Sequence, residues 1–333
     1  MGACRIDGLV LSRGVVRRAG ARIWLTWALV LGVLAVAPSW ACSDGNADID
    51  FSQPEVVADT GSNRVDAPGA GSLRIAVAPV LSAKATLSLY QPLADYLSAR
   101  LGRPVELVQG KTYAEINDLV KSGDITVALV CTNPYLQGQD DFGMELLAVP
   151  EINGELVYYS FLIVRRTSEA QSLKDLRGAS FAFTDPLSNT GRLAPAYQVA
   201  LLGTNPDSFF SQTTFTYSHD SSVRAVADGV VTAASVDSLV YDYLATAEPE
   251  LIADVKVIER WGPFGINPLV VNPHLAEQTK ADLRRVFLEM SDDPEGREIL
   301  KRIEIDRFVV PEDSLYDSVR EMRAYLRERG LAP

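Results

Sequence analysis

From Leu73 onward the chain alternates short apolar runs with stretches of helical period, and this alternation limits the folds open to it more than any motif does. Leu73-Arg-Ile-Ala-Val-Ala78 reads as a buried strand. Over residues 86–101, Leu89, Leu93, Tyr96, Leu97 and Leu101 share one helical face, and Gly102 stops the helix. Pro104–Val108 is a second strand, Tyr113–Val120 a helix closed by Ser-Gly, and Ile125–Val130 a third strand. Such βαβαβ order predicts a parallel sheet with helices on both faces. A second series follows. Glu155–Arg166 is extended, Ser172–Leu176 a short helix, and Ala179–Thr184 a strand. Strands at Thr213–Tyr217, Thr232–Val236 and Val255–Arg260 are separated by helices at Val223–Asp228 and Ser238–Ala245. Ile266–Val271 is extended again, and the chain from about Leu275 is mostly helical.

The expected fold is therefore α/β with two lobes, each a mostly parallel sheet flanked by helices. The extended runs near 156–166 and 264–271 serve as crossovers. Residues 72–162 and 264–333 form lobe 1, residues 163–263 form lobe 2, and the C-terminal helices pack back on lobe 1. Two such lobes leave a cleft, and ligands of open α/β sheets sit at the carboxyl ends of strands. The strand-end loops are then the place to look for chemistry.

The first 41 residues carry an export signal rather than part of the fold. Arg13, Arg17, Arg18 and Arg22 precede the apolar run Ile23–Ala37, which leads to Ser39-Trp-Ala-Cys42. The basic region is long, which leaves open whether translation starts at Met1 or downstream of it. Ala before Cys at the end of the apolar run resembles a bacterial lipoprotein signal, which makes Cys42 the expected lipid anchor. Cleavage after Ala41 without lipid, and an uncleaved anchor, are the alternatives. Residues 42–71 are rich in Asp, Ser, Gly, Asn and Pro, and read as a flexible tether. The expected location is the periplasm or the outer face of the cytoplasmic membrane.

Of 333 residues 47% are hydrophobic, enough for a sizeable core, and the net charge is −12. Residues 1–41 hold five Arg and one Asp, a contribution of +4, so the remainder carries −16. Nucleic acid is excluded as a partner, and the membrane is met only through the N-terminal lipid. Only Cys131 of the three cysteines lies in the folded part, so no disulfide framework exists. His219 and His274 are too few for a metal site, and no cofactor is expected. There is no P-loop, no Gly-x-Ser-x-Gly elbow and no dinucleotide fingerprint.

The strand-end loops carry the site candidates. Ser180–Phe183 runs into Thr-Asp-Pro-Leu-Ser-Asn-Thr-Gly191 and then a helix. A helix start presents unpaired N–H groups, and Ser188, Asn189, Thr190 and Gly191 around it can complete an oxyanion pocket. The same residues equally form a plain capping turn. His219 and Asp220 follow another strand; His219 can donate to an anion, and Asp220 can cap a helix or accept from a protonated ligand oxygen. Asp237 ends a third strand, where it is either an N-cap or a carboxylate that accepts from a ligand P–OH and so rejects bare anions such as sulfate. Tyr113 and one of Tyr158 and Tyr159 bring hydroxyl donors. Cys131 is either an inert core residue or a thiol facing the cleft. Lys84, Lys111 and Arg192 are the basic candidates, each also readable as a surface charge.

Together Phe183–Gly191, Ser218-His-Asp-Ser-Ser-Val-Arg-Ala-Val226, Ala234-Ser-Val-Asp-Ser-Leu-Val-Tyr241 and Asp306-Arg-Phe308 resemble the phosphate/phosphite/phosphonate-type substrate-binding proteins of ABC transporters, from about Leu73 to Leu326. The resemblance implies a type II periplasmic-binding fold that closes like a hinge over a small phosphorus-type oxyanion. It implies delivery to an ABC permease and ATPase complex by a monomer that is not an enzyme. It maps the oxyanion turn on Ser188, Asn189 and Thr190, with Asn189 departing from the family's Ser-Thr-Ser pattern. It maps the His-Asp pair on His219 and Asp220, the later Asp on Asp237, and the two tyrosines on Tyr113 and Tyr158. The segment around Cys131 resembles a branch with arsenic-oxyanion sensors, so the alternative is a receptor for phosphorus or arsenic oxyanions acting on a histidine kinase.

Overall fold

The computed structural model describes residues 71–331. The expected export signal, Cys42 and nearly all of the tether lie outside them. In chain order the strands are β1 (Leu73–Val77), β2 (Val105–Gln109), β3 (Val127–Leu129), β4 (Glu145–Glu151), β5 (Val157–Arg165), β6 (Ser180–Phe183), β7 (Gln212–Phe215), β8 (Ala233–Asp237), β9 (Val255–Gly265), β10 (Leu269–Val271) and β11 (Arg307–Val309). They form two sheets, ordered β11-β4-β10-β3-β1-β2 and β7-β6-β8-β5-β9.

The strands whose ends carry the site loops pair in parallel. Ile75 of β1 stands opposite Leu107 of β2 and Val127 of β3. Phe181 of β6 stands opposite Thr213 of β7 and Ala233 of β8. Both sheets are mixed, however: β10 runs antiparallel to β3 and β4, β11 to β4, and β5 to β8 and β9. Most of the first expected crossover run is strand of the second sheet, since β5 pairs there with β9 from Val157 to Arg165; the second run takes only residues 264–265 from β9, and Leu269–Val271 are β10 of the first sheet. The links between the sheets are the short segments 152–156 and 266–268.

The core follows the predicted periodicity. Helix Ala83–Leu101 buries Leu93, Ala94, Tyr96 and Leu97 and ends at Gly102, whose φ of 62° is left-handed. Its buried face packs with Ile75, Val127 and Leu147 of the first sheet. In the second sheet Ile163, Ala182, Ala234 and Val236 pack under Val223, Val226 and Leu244 of the helices His219–Ala227 and Ser238–Ala247.

Two strands and a helix were not legible in the sequence. β4 contains Pro150, which argues against a strand interior; as Phe308 of β11 faces it, the sheet accommodates it. Helix Thr132–Phe142 contains Pro134 and Gly138 and reads as a loop. Pro134 sits in the first turn, where it displaces no hydrogen bond. A Cβ on Gly138 would stand 3.0 Å from Met144 Sδ, so the glycine serves close packing. The C-terminal helices divide. Glu277–Glu289 and Pro294–Arg302 cover the first sheet, with Leu283, Phe287, Ile299 and Leu300 in its core. Asp317–Glu328 instead reaches the second lobe, where Tyr325 meets Tyr197 edge to face at 5.0 Å. Among the described residues no helix is long and apolar enough to cross a membrane.

Candidate functional site

The turn after β6 is built on strand, cap and widened helix. Ser188 is the N-cap, and its Oγ accepts from Gly191 N–H at 2.9 Å. Asn189–Leu193 form a π-type turn before helix Ala194–Leu201. A Cβ on Gly191 would lie 2.5 Å from Thr184 Cβ and 3.0 Å from Ser188 Oγ, so only glycine fits. Asn189, Thr190 and Ser188 are fully buried.

Around this turn lie buried polar atoms without an intramolecular partner: Tyr113 Oη, Asn189 Oδ1, Thr190 Oγ1, His219 Nε2 and Asn267 Oδ1. Tyr113 comes from the first lobe, Asn189, Thr190 and His219 from the second, and Asn267 from the link between them. An orphaned buried polar group costs about 1–3 kcal/mol, so several together mark a place where something polar binds. Three of them are donors. Asp237 N–H donates to His219 Nδ1 at 3.1 Å, so the ring proton sits on Nε2. Burial pushes the His219 pKa down to about 3, and the imidazole is neutral near pH 7. Tyr113 and Thr190 supply hydroxyls. Tyr158 Oη accepts from Asn189 Nδ2 at 3.0 Å, which leaves its own proton to give.

Among the basic candidates, Lys84 and Lys111 are exposed. Arg192 lies over the Phe183 ring at 4.7 Å. The donor set is therefore neutral, and it works inside a protein of strongly negative net charge.

Asp237 stands at the end of β8, almost fully buried. Its Oδ1 accepts from Leu239 N–H at 2.8 Å, and its other oxygen faces Asn267 Nδ2 at 3.5 Å. Burial raises its pKa to about 7 against these hydrogen bonds. Near neutrality this carboxyl can donate to a ligand oxygen or accept from a ligand OH. Cys131 is also fully buried; it accepts from Asn189 N–H at 3.5 Å and lies 3.8 Å from Tyr158 Oη. Burial pushes its pKa up to about 12, so it is a thiol and not a thiolate.

Asp220 takes a different place from the other candidates. Its Oδ1 accepts from Ser82 N–H of the opposite lobe at 3.1 Å. Three more bonds cross the cleft: His219 N–H to Val80 O at 3.0 Å, Tyr113 N–H to Asp185 Oδ2 at 3.2 Å, and Asn133 Nδ2 to Leu187 O at 3.1 Å. Asp220 and Asp185 thus hold the lobes together in a closed arrangement. The sequence did not single out Asp185 or Asn267 for a role. Asp185 was in view inside the turn motif; Asn267 sits in an extended run with no pattern to mark it. Among the described residues no group of His, Cys, Asp and Glu is placed to hold a metal ion.

Beyond Asp237 lies a chamber of about 120 Å³ between the lobes. Leu81, Leu89, Leu129 and Val240 contribute apolar walls, and Asp237, Tyr90, Asn267, Asp242 and Glu304 polar ones.

Two α/β lobes closed over a buried set of neutral, unpartnered donors have the form of a binding protein for a small polar ligand. The family of periplasmic substrate-binding proteins of phosphonate ABC transporters matches residues 75–316, and the chain belongs to it. It is 25% identical over 247 residues to the phosphonates-binding periplasmic protein of Escherichia coli, covering 73% of each chain. It is 24% identical over 250 residues to a probable ABC transporter phosphite-binding protein of Prochlorococcus marinus, covering 70% of this chain and 76% of that one. In fold it resembles a phosphonate-transporter binding component of Pseudomonas aeruginosa, with TM-score 0.74, 23% identity and coverage of 78% and 88%. The Prochlorococcus protein solved with methylphosphonate gives TM-score 0.71, 18% identity and coverage of 78% and 100%. The expected α/β two-lobe fold and family are thereby borne out.

Proposed function

We propose that the chain captures a phosphonate-type oxyanion outside the cytoplasm and hands it to an ABC permease and ATPase complex as a monomer. The observation that carries this reading is the set of orphaned buried donors, Tyr113 Oη, Thr190 Oγ1 and His219 Nε2, beside the protonatable Asp237. Three donors suit the oxygens of a tetrahedral anion, and Asp237 suits an oxygen that carries or accepts a proton. Once Asp237 is ionised, a fully ionised anion with no proton to share meets a desolvated carboxylate and is rejected, so discrimination against sulfate sharpens above about pH 7. Tyr158 and Asn189 complete the wall, while Ser188 and Gly191 hold the turn. Asp220 serves closure. The chamber beyond Asp237 supports a ligand whose phosphorus carries an organic group, because that group has apolar walls to meet. Cys42 would carry the lipid that keeps the capture domain, on its 42–71 tether, at the membrane surface.

The test is a thermal-shift panel of phosphate, phosphite, methylphosphonate, ethylphosphonate and sulfate on the purified protein. A specific ligand at 100 times its Kd adds about 2.7 kcal/mol to stability. Stabilisation by phosphonates and not by sulfate supports the reading. Equal response to all five, or none to any, overturns it.

A further inference from the structure

The turn that presents Thr190 depends on two buried serines of the sheet beneath it. In this turn the backbone bonds run five residues back: Leu193 N–H donates to Ser188 O, and Ala194 N–H to Asn189 O. The next bond of the series would join residue 195 to Thr190 O, but residue 195 is proline and has no N–H. The Thr190 carbonyl is thus orphaned by the local sequence. A buried carbonyl without a donor is costly, and the sheet supplies one. Ser235 Oγ of β8 donates to Thr190 O at 2.7 Å, and Ser160 Oγ of β5 reaches it at 2.8 Å. The two hydroxyls lie 2.6 Å apart, and both side chains are fully buried. Each hydroxyl has one proton, so at most two of these three contacts are hydrogen bonds at once, and either serine alone can satisfy the carbonyl.

We propose that Ser160 and Ser235 form a clasp that positions the oxyanion turn, replacing the helical bond that Pro195 removes. The peptide plane between Thr190 and Gly191 is pinned at both ends, its oxygen by the serines and its N–H by Ser188 Oγ. The clasp turns the Thr190 carbonyl, which would repel an anion, toward the sheet. It leaves Thr190 Oγ1, fully buried and without a partner, to bind ligand. Pre-arranged donors need no rearrangement when the ligand arrives. Neither serine touches the ligand in this scheme; both act through Thr190.

The ligand arm of this inference rests on the reading of the site given above. The test measures methylphosphonate affinity by calorimetry together with amide hydrogen exchange at Leu193 and Ala194. Either Ser160→Ala or Ser235→Ala alone should change affinity by less than about threefold, since one hydroxyl remains. The double variant should bind at least about tenfold more weakly, because the carbonyl has lost both donors. Adding Pro195→Ala to the double variant supplies the missing N–H, and should restore affinity to within about threefold and restore exchange protection. A role in general stability alone would move the melting temperature without this rescue. A double variant with unchanged affinity and protection overturns the clasp. So does a folded triple variant as defective as the double. If the double variant does not fold, a single-serine variant that already loses more than about tenfold contradicts the redundancy, whereas mild singles support it. If the wild type binds no oxyanion, the ligand reading fails, while the exchange arm still decides the clasp.

Discussion

Replacing Asp237 by Asn tests whether this carboxyl is held in a dry, closed environment. Its pKa rises from 3.8 to about 7, and burial is the leading cause. A carboxyl whose folded pKa is raised stabilises the fold fully below its unfolded pKa. That contribution is lost as pH rises through the folded pKa. The window here is pH 4 to 7, about three units, and at 1.36 kcal/mol per unit the loss is about 4 kcal/mol. Asn at this position still accepts from Leu239 N–H, and the backbone N–H that fixes His219 is untouched. Urea unfolding of wild type and Asp237→Asn, measured from pH 4 to 8, should show a difference that grows with pH. The variant should gain up to about 4 kcal/mol by pH 8 over its relation to wild type at pH 4, less whatever water reaches the wild-type carboxylate. A difference that stays constant across this range would refute the burial argument, and with it the role of Asp237 as a proton-sharing group.

Other outcomes follow from the same geometry. Ser188→Ala and Asp237→Ala should each weaken methylphosphonate binding at least tenfold, about 1.4 kcal/mol or more, as read by calorimetry. The His219 contribution to stability should be lost as pH falls from about 6.5 to 3, opposite in sign to that of Asp237, because the ring must stay neutral to fold; the urea stability of wild type relative to His219→Gln should therefore fall with acid over that range. Asp220→Ala should open the lobes, seen as a larger radius of gyration by small-angle scattering of the ligand-free protein, because the bond to Ser82 crosses the cleft. Cys131→Ser should leave phosphonate affinity within about threefold, since a protonated thiol contributes little to an anion.

Much of the site was legible because strand-end loops are short and polar. The turn from Ser188 to Gly191, His219 and Asp237 announce themselves as Ser-Asn-Thr-Gly, His-Asp and Asp-Ser after apolar runs. Asp220 and Asp237 looked alike in sequence, each a carboxylate ahead of a helix. Only packing separates them: one reaches a backbone N–H on the opposite lobe, the other ends in a dry pocket. Asn267, Ser160 and Ser235 left no local signal, because their partners lie far away in sequence. Ser160 even sits in an apolar strand pattern, where a small polar residue reads as filler. In the fold, the parallel cores around β1 and β6 followed from periodicity. The antiparallel strand β4 did not, because Pro150 contradicts it locally and the sheet overrides that preference.

The central claim is that a protein of negative net charge holds an oxyanion with neutral donors. Salt then has no attraction between ligand and lysine or arginine to screen. It screens only the repulsion between the ligand and the protein's own field. Methylphosphonate affinity measured by calorimetry at 50 and 500 mM sodium chloride should therefore stay level or strengthen, by no more than about threefold. A fall of tenfold or more across that range would mean that a cationic side chain holds the ligand, and would contradict the account.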